Sequence, residues 1–267
     1  MQKILIPTDF SENAMMAVDF AIDQLMNEDS ELYLINVYQV PHGGNSGFFY
    51  LLDELQKQAK NGMEEFKIEV VNRHPEKSLK IDSEVAQGNF SDQCNAIAKK
   101  IDADCIVMGT KGASGVKEVL IGSNTADLMN NLEVPLYVVP KDFKDKSIKE
   151  MILSYDGSGI SIKVAPPILK FAKKHQLPLE LLHVRVEEDS PIQDWSDAKS
   201  LFEGIKVDLH ESWGKSYEEG LKRGIENREA ILVMIKRKKS FWERFFNISD
   251  TRKVVMHAEL PILVIPE

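Results

Sequence analysis

The sequence is poor in cysteine and has no long apolar run. Its 267 residues include only Cys94 and Cys105, which are too few for a disulfide framework and are not spaced as metal ligands. No apolar stretch reaches the roughly 18 residues that would cross a bilayer, and the N-terminus lacks a basic region followed by a long apolar core. We therefore predict a cytoplasmic protein with reduced thiols and without a membrane span.

Positive charge is outnumbered by negative charge, and the common catalytic motifs are missing. Lys and Arg number 33 against 42 Asp and Glu, which gives a net charge of −9. A broad nucleic-acid interface needs clustered basic charge, so the acidic balance argues against a nucleic-acid partner. The histidines form neither H-x₃-H nor H-E-x-x-H, and no G-x-S-x-G occurs. The sequence thus gives no sign of a zinc protease or an esterase.

The two halves of the chain repeat one order of short apolar segments. The segments that end at Asp9 and Asp156 lie 147 residues apart, and so do those that end at Val37 and Val184. The last segments, "VPLYVVP" and "LPILVIP", lie only 126 residues apart. The second copy is therefore shorter by 147 − 126, or 21 residues, lost after Val184. We expect this loss to remove most of the helix that the first copy carries around Tyr50–Val71.

Strand and helix patterns alternate within each copy. The runs "DCIVM" and "PLYVV" contain consecutive apolar residues that no polar residue interrupts. This is typical of strands that are covered on both faces of the sheet. Such alternation predicts an α/β fold with a doubly wound, mostly parallel sheet. We predict one domain over residues 1–140, a charged linker over 141–148 and a second domain over 149–267. In such folds, ligands bind beyond the carboxyl ends of strands where the strand order reverses.

A glycine-rich stretch, Met108–Leu128, lies between a predicted strand and a predicted helix. Gly109 and Gly112 follow the strand, and Gly122 precedes the helix. Glycine permits positive φ and close approach of a ligand to the backbone, and a helix N-terminus offers free N–H groups to an anion. The stretch therefore predicts a phosphate site, to which Lys111 adds positive charge. It is neither a P-loop nor the Rossmann G-x-G-x-x-G.

The pattern of this stretch, G-x-x-G-x₉-G-[ST], resembles the nucleotide-binding signature of the universal stress protein family. The opening "ILIPTDFSENA" resembles the first strand and turn of that family, and "VPLYVVP" resembles its closing strand. The resemblance covers essentially all of the first copy and, more weakly, the second. It implies a tandem member with two adenine-nucleotide α-hydrolase-like domains, each a five-stranded parallel sheet of strand order 3-2-1-4-5, the second shortened.

The resemblance also implies a set of nucleotide contacts. In ATP-binding members the aspartate after the first strand meets the adenine or its ribose, and the valine that ends the second strand lines the adenine pocket. The glycine-rich stretch holds the ribose and the phosphates, with Mg²⁺ as a companion of the phosphates. No residue is implied as catalytic or as a dedicated metal ligand. The implied contacts are Pro7, Thr8, Asp9, Val37, Met108, Gly109, Lys111, Gly112, Gly122, Ser123, Asn124 and Thr125.

The second copy departs from the signature. With the shift of 126 residues, Ile235, Lys238 and Ile248 stand where the first copy has its three glycines. A β-branched side chain disfavours positive φ and blocks close approach to the backbone. We therefore predict that the second copy keeps the fold but does not bind ATP in the family's way, which leaves one ATP per chain.

The stretch "IKRKKSFWERFF" (Ile235–Phe246) replaces the glycine-rich loop in the second copy. It combines basic residues with four aromatic rings. One interpretation is that the rings fill the unused pocket. The other is that Phe241–Phe246 contacts a protein partner or an anionic membrane surface. Nucleic acid is disfavoured by the acidic net charge.

The leading functional hypothesis is an ATP-binding stress-response protein that acts as a nucleotide-dependent regulator or sensor. AMP and ADP stay open as alternative ligands. No residue is an evident base for activating water, so we expect a protein that is not an enzyme, and the alternatives are a slow ATP hydrolase and a nucleotide-free scaffold. Single-domain members pair through their closing strands. The resemblance therefore implies an intramolecular pseudo-dimer through Val134–Val139 and Ile262–Ile265, and further homodimerisation stays open.

Overall fold

The computed structural model describes residues 1–39, 48–110, 122–141, 143, 147–186, 194–237 and 260–267. The chain divides into two compact units, of which the first ends at Lys141. Among the helices of these ranges, none combines the length and the apolar character that a membrane crossing requires.

The first unit is a parallel sheet with helices between its strands. The sheet has the order β3-β2-β1-β4-β5, and each of its described pairs is parallel. This is the predicted order 3-2-1-4-5, which is thereby confirmed. The elements are β1 (Gln2–Pro7), α1 (Glu12–Phe20), β2 (Ser30–Tyr38), α2 (Phe48–Arg73), β3 (Lys80–Gln87), α3 (Phe90–Ile101), β4 (Cys105–Gly109), α4 (Ser123–Asn130) and β5 (Leu136–Val139).

The second unit repeats this architecture with shorter connections. Its strands have the order β8-β7-β6-β9-β10, again with parallel pairs. The elements are β6 (Glu150–Ser154), α5 (Ala165–His175), β7 (Leu179–Arg185), α6 (Ser196–Ser200), β8 (Val207–Trp213), α7 (Tyr217–Ile225), β9 (Ala230–Lys236) and β10 (Ile262–Pro266). The α/β class, with five parallel strands in each unit, is therefore confirmed.

The register of the strands locates the shortening of the second unit. Leu32 lies opposite Ile81 in the first unit, and Leu179 lies opposite Val207 in the second. The shift between the units is thus 147 residues at β7 and already 126 residues at β8. The missing residues fall between these two strands, where the 26 residues of α2 have as their counterpart the 5 residues of α6. The predicted loss of this helix is confirmed.

The two central strands of the first unit, β1 and β4, border the place where a ligand can enter. In β1, Ile4, Leu5 and Ile6 have no exposed surface, because helices cover both faces of a doubly wound sheet. Strand β1 pairs with β2 on one side and with β4 on the other. The chain order reverses at β1 and β4, so their carboxyl ends border a crevice that the helices do not fill.

Candidate functional site

A cavity of about 140 Å³ opens at the carboxyl ends of β1 and β4 in the first unit. Ten of the twelve predicted contacts line this one cavity. Lys111 and Gly112, the other two, lie outside the described residues. Three lining residues were not predicted, namely Ala14, Asn36 and Phe90. The predicted contacts that line the cavity are Pro7, Thr8, Asp9, Val37, Met108, Gly109, Gly122, Ser123, Asn124 and Thr125.

A tight turn after β1 holds Asp9 at the rim of the cavity. The buried Thr8 accepts a hydrogen bond at Oγ1 from the Phe10 N–H, at 2.9 Å. The exposed Asp9 carboxylate accepts hydrogen bonds from the Ser11 N–H and hydroxyl. The Ser11 hydroxyl oxygen caps α1 by accepting from the Ala14 N–H, as Ser commonly does at a helix N-cap. The turn therefore fixes a carboxylate beside the cavity before any ligand arrives.

Asn36 braces this turn from the neighbouring strand. Its side-chain Nδ2 donates to the Thr8 backbone oxygen at 2.8 Å, and the residue is buried. A polar residue that follows the apolar run of β2, one position before Val37, was a signal that could have revealed it. The second unit uses the same bond, since the His183 ring contacts the Tyr155 backbone oxygen at 3.0 Å.

The N-terminus of α4 faces the cavity with Ser123, Asn124 and Thr125. Its N-cap residue is Gly122, so no side-chain hydrogen bond caps this helix in the described part of the chain. The first N–H groups of a helix have no partner within the helix and carry partial positive charge. This end of α4 therefore suits an anionic group. The Thr125 hydroxyl is already engaged, since it donates to the Gly109 oxygen at 3.3 Å.

Neither of the two described glycines of the signature has a left-handed backbone, and Gly109 serves close approach. A Cβ on Gly109 would lie 2.7 Å from the Asn13 backbone oxygen in the first turn of α1. Gly122 has φ −56° and ψ 150°, values that other residues adopt readily. Gly109 thus lets α1 begin directly over β4, and Gly122 leaves the entrance to α4 without a side chain.

The first unit matches a known protein family. A sequence model described as the universal stress protein family matches residues 1–140, which is more than half of the chain. The chain belongs to the universal stress protein family. A universal stress protein of Methanocaldococcus jannaschii is 35% identical to it over 147 residues, which cover 54% of this chain and 85% of that protein.

One solved universal stress protein extends the likeness of fold beyond residue 140. The crystal structure of a universal stress protein from Archaeoglobus fulgidus covers 99% of this chain and 96% of its own, with a TM-score of 0.73 and 21% identity. A universal stress protein in complex with cAMP covers 52% of this chain and 96% of its own, at 21% identity and a TM-score of 0.38. The Archaeoglobus likeness shows that the universal stress protein fold runs through both units.

The described residues at the corresponding place in the second unit of this universal stress protein enclose little space. The space among Ser154, Tyr155, Asp156, Ile235 and Arg237 is only about 10 Å³. The Arg237 guanidinium pairs with Asp156 at 2.9 Å and with Glu267 at 3.2 Å. Arg237 therefore occupies the rim that Asp9 borders in the first unit. The sequence did not reveal this arginine as the group that closes the space. The stretch Phe241–Phe246, which was expected there, lies outside the described residues.

Strand register places Ile235 where the first unit has Gly109. Gly109 lies opposite Val139, and Ile235 lies opposite Ile265, each pair shifted by 126 residues. The helix that follows the first strand also begins later in the second unit. A 3₁₀ turn over Ile162–Val164 comes first, and α5 follows it. This difference agrees with the Gly109 geometry, because a side chain at that position conflicts with an early first turn.

Proposed function

We propose that the first unit binds ATP and that the protein acts as a nucleotide-dependent regulator or sensor in the stress response. The observation that carries the proposal is the cavity at the carboxyl ends of β1 and β4. It brings together an apolar wall, the Asp9 carboxylate and an uncapped helix N-terminus. An adenine nucleotide has three parts that match these features, which are an apolar base, a hydroxylated ribose and an anionic phosphate chain.

The base fits the apolar side of the cavity. Val37, Phe90 and Met108 line it together, and a flat aromatic base gains from contact with such side chains. Asp9 lies at the rim as a hydrogen-bond acceptor, which suits the hydroxyls of a ribose. Val37 and Met108 lie on strands of the sheet, and Asp9 lies in a turn bonded to it, so little ordering of these groups is required when the ligand binds.

The phosphates belong at the N-terminus of α4. Its first-turn residues Ser123 and Asn124 line the cavity with polar side chains, and its N–H groups favour negative charge. Lys111 and Gly112 stay proposed contacts in the same stretch of sequence. Mg²⁺ is proposed as a companion of the phosphate oxygens, since hard cations prefer oxygen ligands.

Turnover is not part of the proposal. Among the described residues that line the cavity, Asp9 is the one with a titratable side chain, and it is engaged with Ser11. A hydrolase needs a base within hydrogen-bond reach of the attacking water. We therefore propose binding with hydrolysis that is slow at most, with AMP and ADP as competing ligands.

The two domains have different roles in this proposal. Residues 1–140 form the nucleotide-binding domain, 141–148 the linker, and 149–267 a domain without nucleotide. One ATP then binds per chain. Arg237 at the unused pocket supports this assignment, as does Ile235 at the position of Gly109. Phe241–Phe246 stays the proposed contact for a protein partner, and cytoplasmic localisation stays a prediction.

Calorimetric titration of nucleotide-stripped protein with ATP and Mg²⁺ tests the proposal. We expect one ATP per chain, and we expect the Gly122→Val variant to lose binding, because its side chain would stand at the entrance to α4. The matched control is Gly159→Val in the second unit, where a Cβ would meet nothing within 4 Å. Retained affinity in Gly122→Val would contradict the α4 assignment. A folded wild type that binds no nucleotide would favour the scaffold alternative.

A further inference from the structure

The turn that holds Asp9 contains a residue in an unusual backbone conformation. Phe10 has φ 64°, in the left-handed region. This region is costly for a residue with a bulky side chain. A non-glycine residue kept in such a conformation calls for a compensating interaction elsewhere.

The second unit has the same left-handed backbone at the corresponding position but no phenylalanine there. With the shift of 147 residues, Phe10 corresponds to Gly157, which has φ 81°. Glycine adopts this conformation without steric cost. The second unit therefore has glycine, the residue that fits this turn best, whereas the first unit has phenylalanine at the same position.

The Phe10 ring packs against α2. A Cβ on Gly62 would lie 2.7 Å from Cε2 of this ring, so the ring occupies the space that a side chain at position 62 would take. The Phe66 ring, one turn further along α2, has its centroid 6.0 Å from that of Phe10. A glycine within a helix is itself unfavourable relative to alanine. One contact thus explains two residues that are each locally unfavourable, Phe10 in its turn and Gly62 in its helix.

We propose that Phe10 is a positioning residue that couples α2 to the nucleotide-binding turn. The proposal rests on the proposed function. Phe10 follows Asp9 directly, and its N–H donates to Thr8, so displacement of its ring displaces both of these pocket residues. The second unit has the short α6 in place of α2 and has Gly157 in place of Phe10. Coupling is reciprocal, so nucleotide at Asp9 also stabilises the position of α2.

Two variants test the coupling through ATP affinity. Gly62→Ala pushes the ring out of its site, and Phe10→Gly removes the ring while it keeps the backbone conformation that Gly157 shows. We expect each variant to bind ATP roughly 3- to 30-fold more weakly, as is typical of mutations that alter the coupling between sites. Both changes favour the local backbone, so a weaker helix or a strained turn does not explain such a loss. Wild-type affinity in both would overturn the proposal.

Hydrogen exchange reports on the other direction of the coupling. In the wild type, ATP should slow the exchange of backbone amides in α2 around Gly62. In Phe10→Gly the same amides should exchange at one rate with and without saturating ATP. A residue with a merely structural role would alter the exchange rate without altering its dependence on ATP. ATP-dependent protection of α2 that persists in Phe10→Gly would overturn the proposal.

The matched control is Gly157→Ala, which strains the corresponding turn of the second unit and should leave ATP affinity unchanged. A wild type that binds no ATP would contradict the proposed function, and the coupling then has a test of its own. In nucleotide-free protein, Gly62→Ala should speed exchange of the Phe10 amide, whose partner is the Thr8 hydroxyl oxygen. An unchanged rate there would overturn the coupling whatever the ligand.

Discussion

The Arg237 guanidinium lies 2.9 Å from the Asp156 carboxylate in the second unit. Asp156 corresponds to Asp9, which borders an open cavity in the first unit. The same guanidinium pairs with Glu267 and donates to the Gly159 oxygen at 2.8 Å. The half-buried Tyr217 is hydrogen-bonded to Ser154 nearby. Among the described residues the two units thus share one fold but differ at this position, since the first has an open cavity and the second has an ion-paired arginine.

Removal of the arginine should weaken the second unit without creating a second nucleotide site. Arg237→Ala leaves Asp156 without this partner, and because the aspartate is about one-third exposed we expect a loss of only about 1 kcal/mol in the free energy of unfolding. ATP stoichiometry should stay at one per chain, since Ile235 still blocks the position of Gly109. Urea denaturation and calorimetric titration measure the two effects.

The control for this variant is Lys206→Ala, which removes the exposed ion pair with Asp208 in the same unit. Exposed pairs contribute little to stability, so no measurable change is expected. A second ATP per chain in Arg237→Ala would show that the arginine alone keeps the second pocket closed.

Gly109→Ala tests the close approach of α1 to β4. The added Cβ would lie 2.7 Å from the Asn13 oxygen, so α1 must shift, at a cost of about 1–3 kcal/mol in the free energy of unfolding. ATP binding should weaken as well, because both Gly109 and Ala14 line the cavity. Gly159→Ala, with nothing within 4 Å of its Cβ, should leave both quantities near wild type. Equal values for the two variants would rule out the steric explanation.

Asn36 should be replaceable by histidine better than by alanine. Asn36→Ala leaves the Thr8 carbonyl oxygen without its side-chain donor, which costs about 1–3 kcal/mol when the acceptor is buried. Asn36→His should recover part of this loss, because His183 makes the corresponding bond to Tyr155 in the second unit. Urea denaturation of both variants measures the difference. If alanine is tolerated as well as histidine, the bond does not brace the turn.

Tyr33 should make the first unit sensitive to alkaline pH. Burial, aided by the hydrogen bond that Tyr33 donates to Glu84 at 2.9 Å, raises the pKa of its hydroxyl from 10.0 to about 12. The folded state therefore favours the neutral hydroxyl. The resulting stabilisation is complete below the unfolded pKa of about 10 and is lost as pH rises from about 10 to about 12.

Tyr33→Phe separates this titration from that of other groups. At about pH 8 the variant should be less stable by about 1 kcal/mol, since the bond to Glu84 is gone. Above about pH 10 the difference in the free energy of unfolding between wild type and variant should shrink. The Tyr33 hydroxyl ionises more readily in the unfolded wild type, and the variant has no such group. Urea denaturation across the range measures the difference. A gap that widens with pH would contradict the assigned direction of the shift.

The sequence by itself determined the repeat, the class of fold and most of the candidate site. Apolar runs of strand length that alternate with helical patterns specify a parallel α/β sheet, because each pattern is local and needs no partner to be recognised. Residues that follow β1 and β4 then converge, since the carboxyl ends of parallel strands meet at one edge. Ten of the contacts that the family resemblance implied accordingly lie around one cavity.

Only the tertiary structure decided what braces or fills that edge. Asn36 bonds to a carbonyl 28 positions away, Arg237 reaches Asp156 across the second unit, and Phe10 fits against Gly62 on α2. None of these pairs has a periodic signal, because each depends on the space left between elements that are distant in the chain. Local patterns specify the elements, whereas the packing between them decides which side chain occupies a pocket and which pocket stays open.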